Sequence, residues 1–221
     1  MIEKGEKREI AIMHVIREYI VASENVLFEG NNYSEELEKE AEKRGLPNVK
    51  TTPLALDAML TDKAKQLFES NKIYSRSELE ARHEIELEKY IKKVQIESRI
   101  MGEIATSHIL PAAIRYQNLL TSNIRGVKDA GLTEASYANQ KQILEKISEH
   151  INKTSDLVEK MIEARKICNN IDKSRTKAIA YQSQVKDAFF DEIRYHVDKL
   201  ELLVDDREWY LPKYREILFL R

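Results

Sequence analysis

The sequence predicts an all-α protein in which short N-terminal helices precede a long central helix and a long antiparallel helical hairpin follows it. The first observation is periodic, because apolar side chains recur at steps of three and four residues in every long segment. The second is compositional, because 221 residues contain only six glycines and four prolines while 33% are charged. Since strand-like alternation is also scarce, we expect almost no β-sheet.

An irregular helical lead-in opens the chain. A first helix is predicted over residues 6–28 and is expected to end near Gly30. Its apolar stripe consists of Ile12, Val15, Ile16, Tyr19 and Ile20. Ser34 can cap a short, highly charged helix, SEELEKEAEKRG, whose opposite charges lie within reach of one another. A further short helix is expected to begin with Thr52 as its N-cap and Pro53 at its first position.

The long central helix is predicted over residues 78–107, about 45 Å at helical rise. One face carries apolar residues or histidines at helical spacing: Leu79, His83, Leu87, Tyr90, Val94, Met101, Ile104 and His108. Four further isoleucines lie outside that stripe: Ile85, Ile91, Ile96 and Ile100. Because a helix that is apolar on more than one face is usually buried on more than one side, we expect packing partners on several sides.

Local signals mark both ends of the central helix. Ser77 followed by Glu80 predicts a capping box, in which each side chain bonds the backbone amide of the other residue. Pro111 lacks an amide hydrogen, and a proline costs about 3 kcal/mol in a regular helix interior. We therefore expect a kink or break between His108 and Ala112, with helix resuming beyond it.

The antiparallel hairpin is predicted over residues 133–204, with the polar sequence NNIDKS as its turn. The apolar positions of its first helix follow near-heptad spacing: Ile143, Ile147, Ile151, Leu157 or Val158, and Met161. Those of its second helix are Tyr181, Val185, Ala188, Ile193, Val197, Leu200 and Val204. We expect this hairpin to pack against the central helix or to project from it.

The final segment, residues 205–221, is dense in large apolar side chains: Trp209, Tyr210, Leu211, Tyr214, Ile217, Leu218, Phe219 and Leu220. An exposed tail of this composition would promote aggregation, so we expect it to dock on the lead-in and the central helix. Lys213 and Arg215 are expected to stay in water. An alternative is a contact between subunits. The four segments, 1–76, 77–132, 133–204 and 205–221, are expected to form one structural unit.

A search of the sequence for catalytic chemistry is mostly negative. The chain has no glycine-rich phosphate loop, no HExxH, no GxSxG and no EF-hand loop. Glu80 and His83, with Glu84 and Glu86 beside them, form one Glu-x-x-His pair of the kind used by di-iron bundles. Those bundles need two such pairs and two further glutamates, whereas this sequence has one pair. His83 is therefore expected to lie on a helix–helix seam and to bond a neighbouring carboxylate.

Two other reactive side chains receive structural interpretations. Cys168 has no base near it in the sequence, which does not favour a catalytic thiol. His108, three residues before Pro111, is expected to be a core histidine that satisfies backbone groups freed by the proline. No residue is therefore assigned as catalytic, cofactor-binding or metal-binding.

Charge and composition narrow the expected partners and location. The formal net charge is −2, so the sequence predicts neither a nucleic-acid nor a membrane partner. A single cysteine excludes an intrachain disulfide and fits a reducing compartment. The N-terminus lacks the apolar core of a signal peptide, and no apolar run approaches membrane-spanning length. A soluble cytoplasmic protein is expected.

Four long segments carry a resemblance to a known family: EGNNYSEELEKEAEKRGLPNVKTTPLALDAML, ELEARHEIELEKYIKKVQIESR, SHILPAAIRYQNLL and VDDREWYLPKYREILF. In this order they resemble the C-terminal region of type III glutamine synthetases. The likeness covers nearly the whole chain, and the predicted hairpin at about 133–200 is its least distinctive part. Agreement over several long segments is far more specific than a short motif.

The resemblance implies a function that the residues alone do not. Enzymes of that family join glutamate and ammonia with ATP and a divalent metal, Mg²⁺, and assemble as ring-shaped homo-oligomers. Their metal ligands, nucleotide contacts and catalytic arginines lie in an upstream β-rich domain, and no position here matches those motifs. The resemblance therefore implies a non-catalytic C-terminal helical domain that supports folding, oligomer assembly or regulation. It implies no cofactor in this chain, and its expected partners are the catalytic domain and other subunits of the ring.

Two alternatives from other classes of protein remain open at this point. One is a stand-alone helical metalloenzyme built on Glu80 and His83. The other is a coiled-coil adaptor that uses the hairpin at 133–204. Both predict helical proteins, so the positions of specific side chains must distinguish them.

Overall fold

The computed structural model describes residue 5 and residues 7–219, which form helices joined by short turns. No strand occurs among these residues, so the all-α prediction is confirmed. The α-helices are α1 (Arg8–Ala22), α2 (Glu35–Lys43), α3 (Thr52–Leu56), α4 (Asp62–Ser70), α5 (Arg76–Ile104), α6 (Leu110–Asp129), α7 (Ala138–Asn169), α8 (Ser174–Ala180), α9 (Asp191–Leu203) and α10 (Tyr214–Ile217). Single 3₁₀ turns cover Glu24–Val26, Asp57–Leu60 and Glu134–Ser136, and π-helix covers Ala105–Ile109 and Tyr181–Phe190.

The chain divides into two compact units, with the boundary between Lys50 and Thr51. The sequence analysis expected the four predicted segments to form one structural unit. In the first unit, the predicted apolar stripe of α1 is exposed, with Ile16 at 52% and Tyr19 at 71%. Arg44, just after α2, donates to the backbone carbonyl of Glu24 at 3.1 Å, which ties α2 to the turn after α1.

The second unit is organised around α5, whose start differs from the predicted one. A capping box is present at Ser75, where the Glu78 amide donates to Ser75 Oγ at 3.3 Å and the Ser75 amide donates to Glu78 Oε2 at 2.7 Å. The predicted box between Ser77 and Glu80 is wrong by two residues. Glu80 instead accepts a hydrogen bond from Lys65 at 2.8 Å, so a contact with α4 takes the side chain that the predicted box required.

A π-helical turn takes the place of the kink or break predicted at Pro111. The turn covers Ala105–Ile109, and α6 begins immediately after it with Pro111 in its first turn. Ile109 and Leu110 keep helical torsion angles, with φ −72° and −59° and ψ −54° and −44°. Wider i→i+5 bonding of a π turn re-pairs backbone groups next to a missing proline amide. The chain therefore changes from α-helix to π-helix and back without interrupting the helix. The continuous helix extends over about 80 Å from the start of α5 to the end of α6.

The helix α7 runs antiparallel to the segment formed by α8, the second π-helix and α9. Ile147 near the start of α7 shares a core cluster with Leu200 near the end of α9, and Cys168 at the end of α7 shares another with Ala178 in α8. The continuous helix formed by α5 and α6 packs against α7 and against the segment from α8 to α9. The second unit therefore consists of three helical rows around a shared core. Its fully buried side chains include Leu79, Leu87, Val94, Ile147, Val158, Met161, Tyr181, Val185, Ile193 and Leu200.

The second apolar face of α5 is not covered as the sequence analysis expected. Ile91 is buried, at 6% exposure, but Ile85, Ile96 and Ile100 are 49%, 62% and 48% exposed. The other buried apolar side chains of α5 lie on the predicted stripe that includes Leu79. This stripe faces α7 and α8. The central helix therefore retains an apolar strip that this chain leaves open.

The C-terminal segment docks partly on the predicted segment 77–132 and partly on the end of α9, which was not predicted. Trp209 is only 6% exposed and lies in a cluster with Leu110 of α6 and with Leu200 and Val204 at the end of α9. The receiving surface therefore belongs partly to α9, the last helix of the predicted hairpin. Leu220, which was assigned to the docking tail, lies outside the described residues.

Lys213 is buried, at 8% exposure, although it was expected to stay in water. Its Nζ donates to the backbone carbonyls of Glu201 at 2.7 Å and Val204 at 3.0 Å, and it pairs with the Asp206 carboxylate at 2.7 Å. The last carbonyls of a helix lack intrahelical partners and carry partial negative charge, so an ammonium group satisfies them well. Lys213 is therefore the C-terminal cap of α9.

Gly102 on α5 offers a test of how closely α5 and α7 approach. A Cβ atom there would lie 3.6 Å from Val158 Cγ1 and 3.7 Å from Met161 Cε, which is ordinary van der Waals contact. Gly102→Ala is therefore expected to raise the free energy of unfolding by about 1 kcal/mol, because alanine favours the helix over the unfolded chain. Gly126→Ala, where nothing lies within 4 Å, controls for helix propensity alone.

Urea denaturation measures both variants. Gly102→Leu should instead lower the free energy of unfolding by roughly 1–3 kcal/mol, because the longer side chain must displace Val158 and Met161. A loss of stability in Gly102→Ala while Gly126→Ala gains would contradict the packing described for α5 and α7.

Candidate functional site

Glu80 and His83, the pair on which the metalloenzyme alternative depends, bond different partners. Glu80 bonds Lys65 at 2.8 Å, whereas His83 is 5% exposed and its Nε2 lies 3.1 Å from Asp57 Oδ1. His83 thus bonds a neighbouring carboxylate on a helix seam. Across the described residues, no group of three or more histidine, cysteine, aspartate or glutamate side chains is placed to hold a metal ion.

Asp57 is the centre of the ion cluster that receives His83. Both carboxylate oxygens also accept hydrogen bonds from Arg175 of α8, at 2.6–3.0 Å. The Arg175 guanidinium and, more weakly, His83 hold the pKa of Asp57 below its usual value against the opposing effect of burial. A bidentate pair of this kind fixes orientation as well as charge. The cluster joins the turn after α3 to α5 and α8.

The other two reactive residues also occupy structural positions. Cys168 is fully buried, its Sγ lies 3.8 Å from Gln184 Oε1, and burial raises the pKa of its thiol. A raised pKa disfavours the reactive thiolate. His108 Nδ1 bonds the hydroxyl of Tyr210 in the C-terminal segment, so its partner is a side chain and not the backbone near Pro111.

A buried network of amides and phenols links α5 to the second π-helix, and the sequence analysis did not find it. The Tyr90 hydroxyl donates to Gln182 Oε1, and Gln182 Nε2 donates to Asp187 at 2.6 Å. Burial, with a smaller effect of the Asp187 charge, raises the pKa of Tyr90 to about 12. Polar side chains bonded across helices specify one register, because any shift leaves them unpaired. No periodic signal distinguishes Gln182 from an exposed glutamine.

Two histidines face each other between α7 and α9. His150 Nδ1 lies 2.9 Å from His196 Nδ1, so one ring must donate its N–H and the other accept. Glu149 and Lys199 stand beside the pair, and the Tyr195 ring meets both imidazoles edge-on. Burial, followed by the like charge of His196, lowers the pKa of His150 from its model-compound value of 6.5. The folded chain therefore favours the neutral form of His150.

Stability should consequently fall as the pH is lowered through this pair. The folded-state pKa of His150 lies below the unfolded value near 6.5, so acid protonates the unfolded chain first and the free energy of unfolding decreases as pH drops below about 6.5. His150→Asn should flatten this decrease, because asparagine preserves a hydrogen bond without titrating. Urea denaturation at pH 7.5, 6.5 and 5.5 measures the slope.

Ile167→Ala on α7 is the control, because it changes an exposed side chain of the same helix without removing a titratable group. Its pH dependence should match that of the parent protein over this range. Equal slopes for the parent and the His150→Asn variant would show that the paired imidazoles do not resist protonation.

An apolar cavity, which we call the open groove, lies between the exposed strip of α5, α9 and the C-terminal segment. Its volume is about 650 Å³. Apolar side chains of α5 and α9 form its floor, Trp209 and Leu211 form one end, and Tyr214 and Ile217 of α10 form a wall. A cavity of this size and apolarity is typical of binding surfaces.

These features define an all-α domain in which His83 bonds Asp57, Tyr90 bonds Gln182 and His150 bonds His196 between different elements. None of the described helices is both long and apolar enough to cross a bilayer. The model of the glutamine synthetase C-terminal domain family matches residues 11–128. The chain belongs to that family.

Whole-chain comparisons agree with the family match and extend it past residue 128. A glutamine synthetase from Bacteroides fragilis (strain YCH46) is 40% identical over 99% of this chain, and a type-3 glutamine synthetase from Dictyostelium discoideum is 29% identical over 99%. A glutamine synthetase from Butyrivibrio fibrisolvens is 30% identical over 97% of this chain. In each case the chain spans about 30% of the relative's length. The resemblance to the C-terminal region of type III glutamine synthetases is confirmed.

Proposed function

We propose that this chain is a non-catalytic helical domain of a type III glutamine synthetase and supports folding and assembly of the whole enzyme. The remainder of the polypeptide then carries the ATP- and Mg²⁺-dependent ligation of glutamate and ammonia. Family membership supports this proposal, together with the fact that the chain spans about 30% of the length of its relatives.

The observation that best supports the proposal is that Glu80, His83 and Cys168, which were considered for chemistry, each have a structural partner. Glu80 pairs with Lys65, His83 with Asp57, and Cys168 is buried against an amide. Among the described residues no set of ligands converges on a metal position. The stand-alone metalloenzyme alternative therefore has no support from geometry.

The exposed face of α1 supports a role in docking to the rest of the polypeptide. Met13, Tyr19 and Val21 are 71%, 71% and 63% exposed, and the neighbouring isoleucines are about half exposed. Contiguous apolar surface of this kind usually marks an interaction site. The catalytic domain is the proposed occupant, because α1 lies near the N-terminal end of the segment that matches the family.

Activity measurements test the central statement. The purified chain, supplied with glutamate, ammonia, ATP and Mg²⁺, is expected to release no more ADP than a heat-killed control. Binding of ATP should be undetectable by calorimetry, because no glycine-rich phosphate loop or cluster of metal ligands is available for a triphosphate. Glutamine formation by the chain alone would contradict the proposal.

Co-expression tests the docking role. The remainder of the B. fragilis relative, without its region matching this chain, is expected to be soluble and to copurify only when this chain is present. Ile16→Asp on α1 should reduce copurification, whereas Ile85→Asp on α5, at a similar 49% exposure against 52%, should not. Equal amounts of copurified protein with both variants would contradict the docking role proposed for α1.

A further inference from the structure

Apolar side chains of two helices, α5 and α10, are exposed at the mouth of the open groove. Ile96 and Ile100 of α5 are 62% and 48% exposed, and Ile217 of α10 is 52% exposed. Val197 of α9 lies deeper in the same cavity. The cavity volume of about 650 Å³ leaves room for more than one large side chain.

Apolar side chains of matching character stand directly beside the groove. Leu218 and Phe219 follow the wall residue Ile217 and are 79% and 80% exposed. Most of the surface of these two adjacent large side chains is therefore uncovered by the described residues. The groove and these two residues therefore form neighbouring, unsatisfied apolar surfaces on one face of the molecule.

Acidic side chains predominate among the charged residues that line the groove. Glu97, Asp198 and Glu201 line the groove, against one cation, Arg194, which already lies 3.6 Å from Asp198. Burial and the neighbouring Asp198 raise the pKa of the Glu201 carboxyl.

We propose that the open groove receives the segment Leu218–Phe219 of a second copy of this chain, which receives the same segment in return. A two-fold pair requires that each partner present both the inserted residues and the receiving surface, so that residue i meets residue j and j meets i. A groove whose wall is the helix that leads into the tail meets this requirement. An apolar centre with a charged rim is also the usual composition of a protein interface.

The direction of the backbone favours a second copy over insertion into the chain's own groove. Lys213 and Trp209 hold the start of the tail, and α10 already lies along the groove wall. Leu218 continues with helical torsion angles, φ −68° and ψ −21°, so the chain does not reverse after Ile217. Entry into its own groove would need a reversal within one or two residues.

Sedimentation of the full chain over a dilution series tests the proposal with two matched pairs of variants. Leu218→Asp should weaken dimerisation by about tenfold or more, whereas Leu202→Asp on α9, also 79% exposed, should leave it unchanged. Ile100→Asp in the groove should weaken dimerisation by a similar factor. Ile85→Asp on the same helix, 49% against 48% exposed, should have no effect.

A mixing experiment distinguishes exchange between copies from any effect within one chain. The Leu218→Asp protein keeps an intact groove and the Ile100→Asp protein keeps an intact tail. A mixture of the two therefore contains one complete tail–groove junction per heterodimer, and should dimerise more tightly than either variant alone. Identical behaviour of mixture and separate variants would overturn the proposal.

Two other results would also overturn it. One is a parent chain that stays monomeric at all accessible concentrations, and the other is Leu202→Asp or Ile85→Asp acting as strongly as its counterpart. Self-association is separable from the proposed function because it needs no catalytic partner. A chain that is monomeric and inactive would contradict only the proposed dimer contact. Glutamine formation by a dimeric chain would contradict only the proposed function.

Discussion

Removal of residues 208–221 is expected to lower the melting temperature by about 10 °C or to make the protein insoluble. Loss of a buried tryptophan costs roughly 3–5 kcal/mol, and 1 kcal/mol shifts the midpoint by about 2–4 °C in a domain of this size. Trp209 is 6% exposed, and Lys213 supplies the hydrogen bonds to the last carbonyls of α9. The truncation removes both. Thermal denaturation followed by far-ultraviolet circular dichroism measures the change.

A shorter truncation is the control. Deleting residues 218–221 leaves Trp209 and Lys213 in place and removes, among the described residues, only Leu218 and Phe219, which are about 80% exposed. At low protein concentration its midpoint should match that of the full chain. If the longer truncation melts with the full chain and stays soluble, the tail contributes nothing to the fold.

Replacing Ile147→Ala is expected to cost about 2–5 kcal/mol of unfolding free energy. The side chain has 0% exposure and lies where α6, α7 and α9 meet, in a cluster with Leu120, Leu200 and Val204. Truncation removes buried apolar surface and leaves a cavity, because three helices cannot all move in to fill it. The midpoint in urea should fall accordingly, with little change in slope.

Ile167→Ala is the matched control on the same helix. Ile167 is 63% exposed, so its truncation should change stability by no more than about 0.5 kcal/mol. Similar losses at both positions would mean that the junction of α6, α7 and α9 is not packed as the structure shows.

The buried faces of the long helices were predictable because burial there follows local periodicity. The stripe from Leu79 through Val94 faces the core, and so do Ile147 and Met161 on α7. The start of α5 was not predictable to the residue, because Ser75 and Ser77 are each followed three positions later by a glutamate. Both capping boxes fit the sequence equally well. A tertiary contact decides between them, since Lys65 pairs with Glu80.

The candidate sites depended on contacts between distant parts of the chain. Nothing local shows that Lys213 would be buried against α9, or that His150 would face His196 46 residues later in the chain. Ile96 and Ile100 did carry a signal, because they lay outside the predicted stripe. That signal predicted burial, whereas the structure leaves these side chains at the mouth of the open groove. Periodicity did not identify the family of the protein, whereas the resemblance of long segments did. The family match confirms that resemblance.

The long π-helix at Tyr181–Phe190 has a consequence for how related chains can vary in length. In an α-helix, one inserted or deleted residue rotates everything beyond it by about 100°, which would turn Ile193 and Leu200 away from the core. A π segment closes its bonds over five residues instead of four, so it can take up or release one residue while the flanking turns keep their orientation. Single-residue gaps in this row of the fold should therefore fall between positions 181 and 190, and the packing of α9 should survive them.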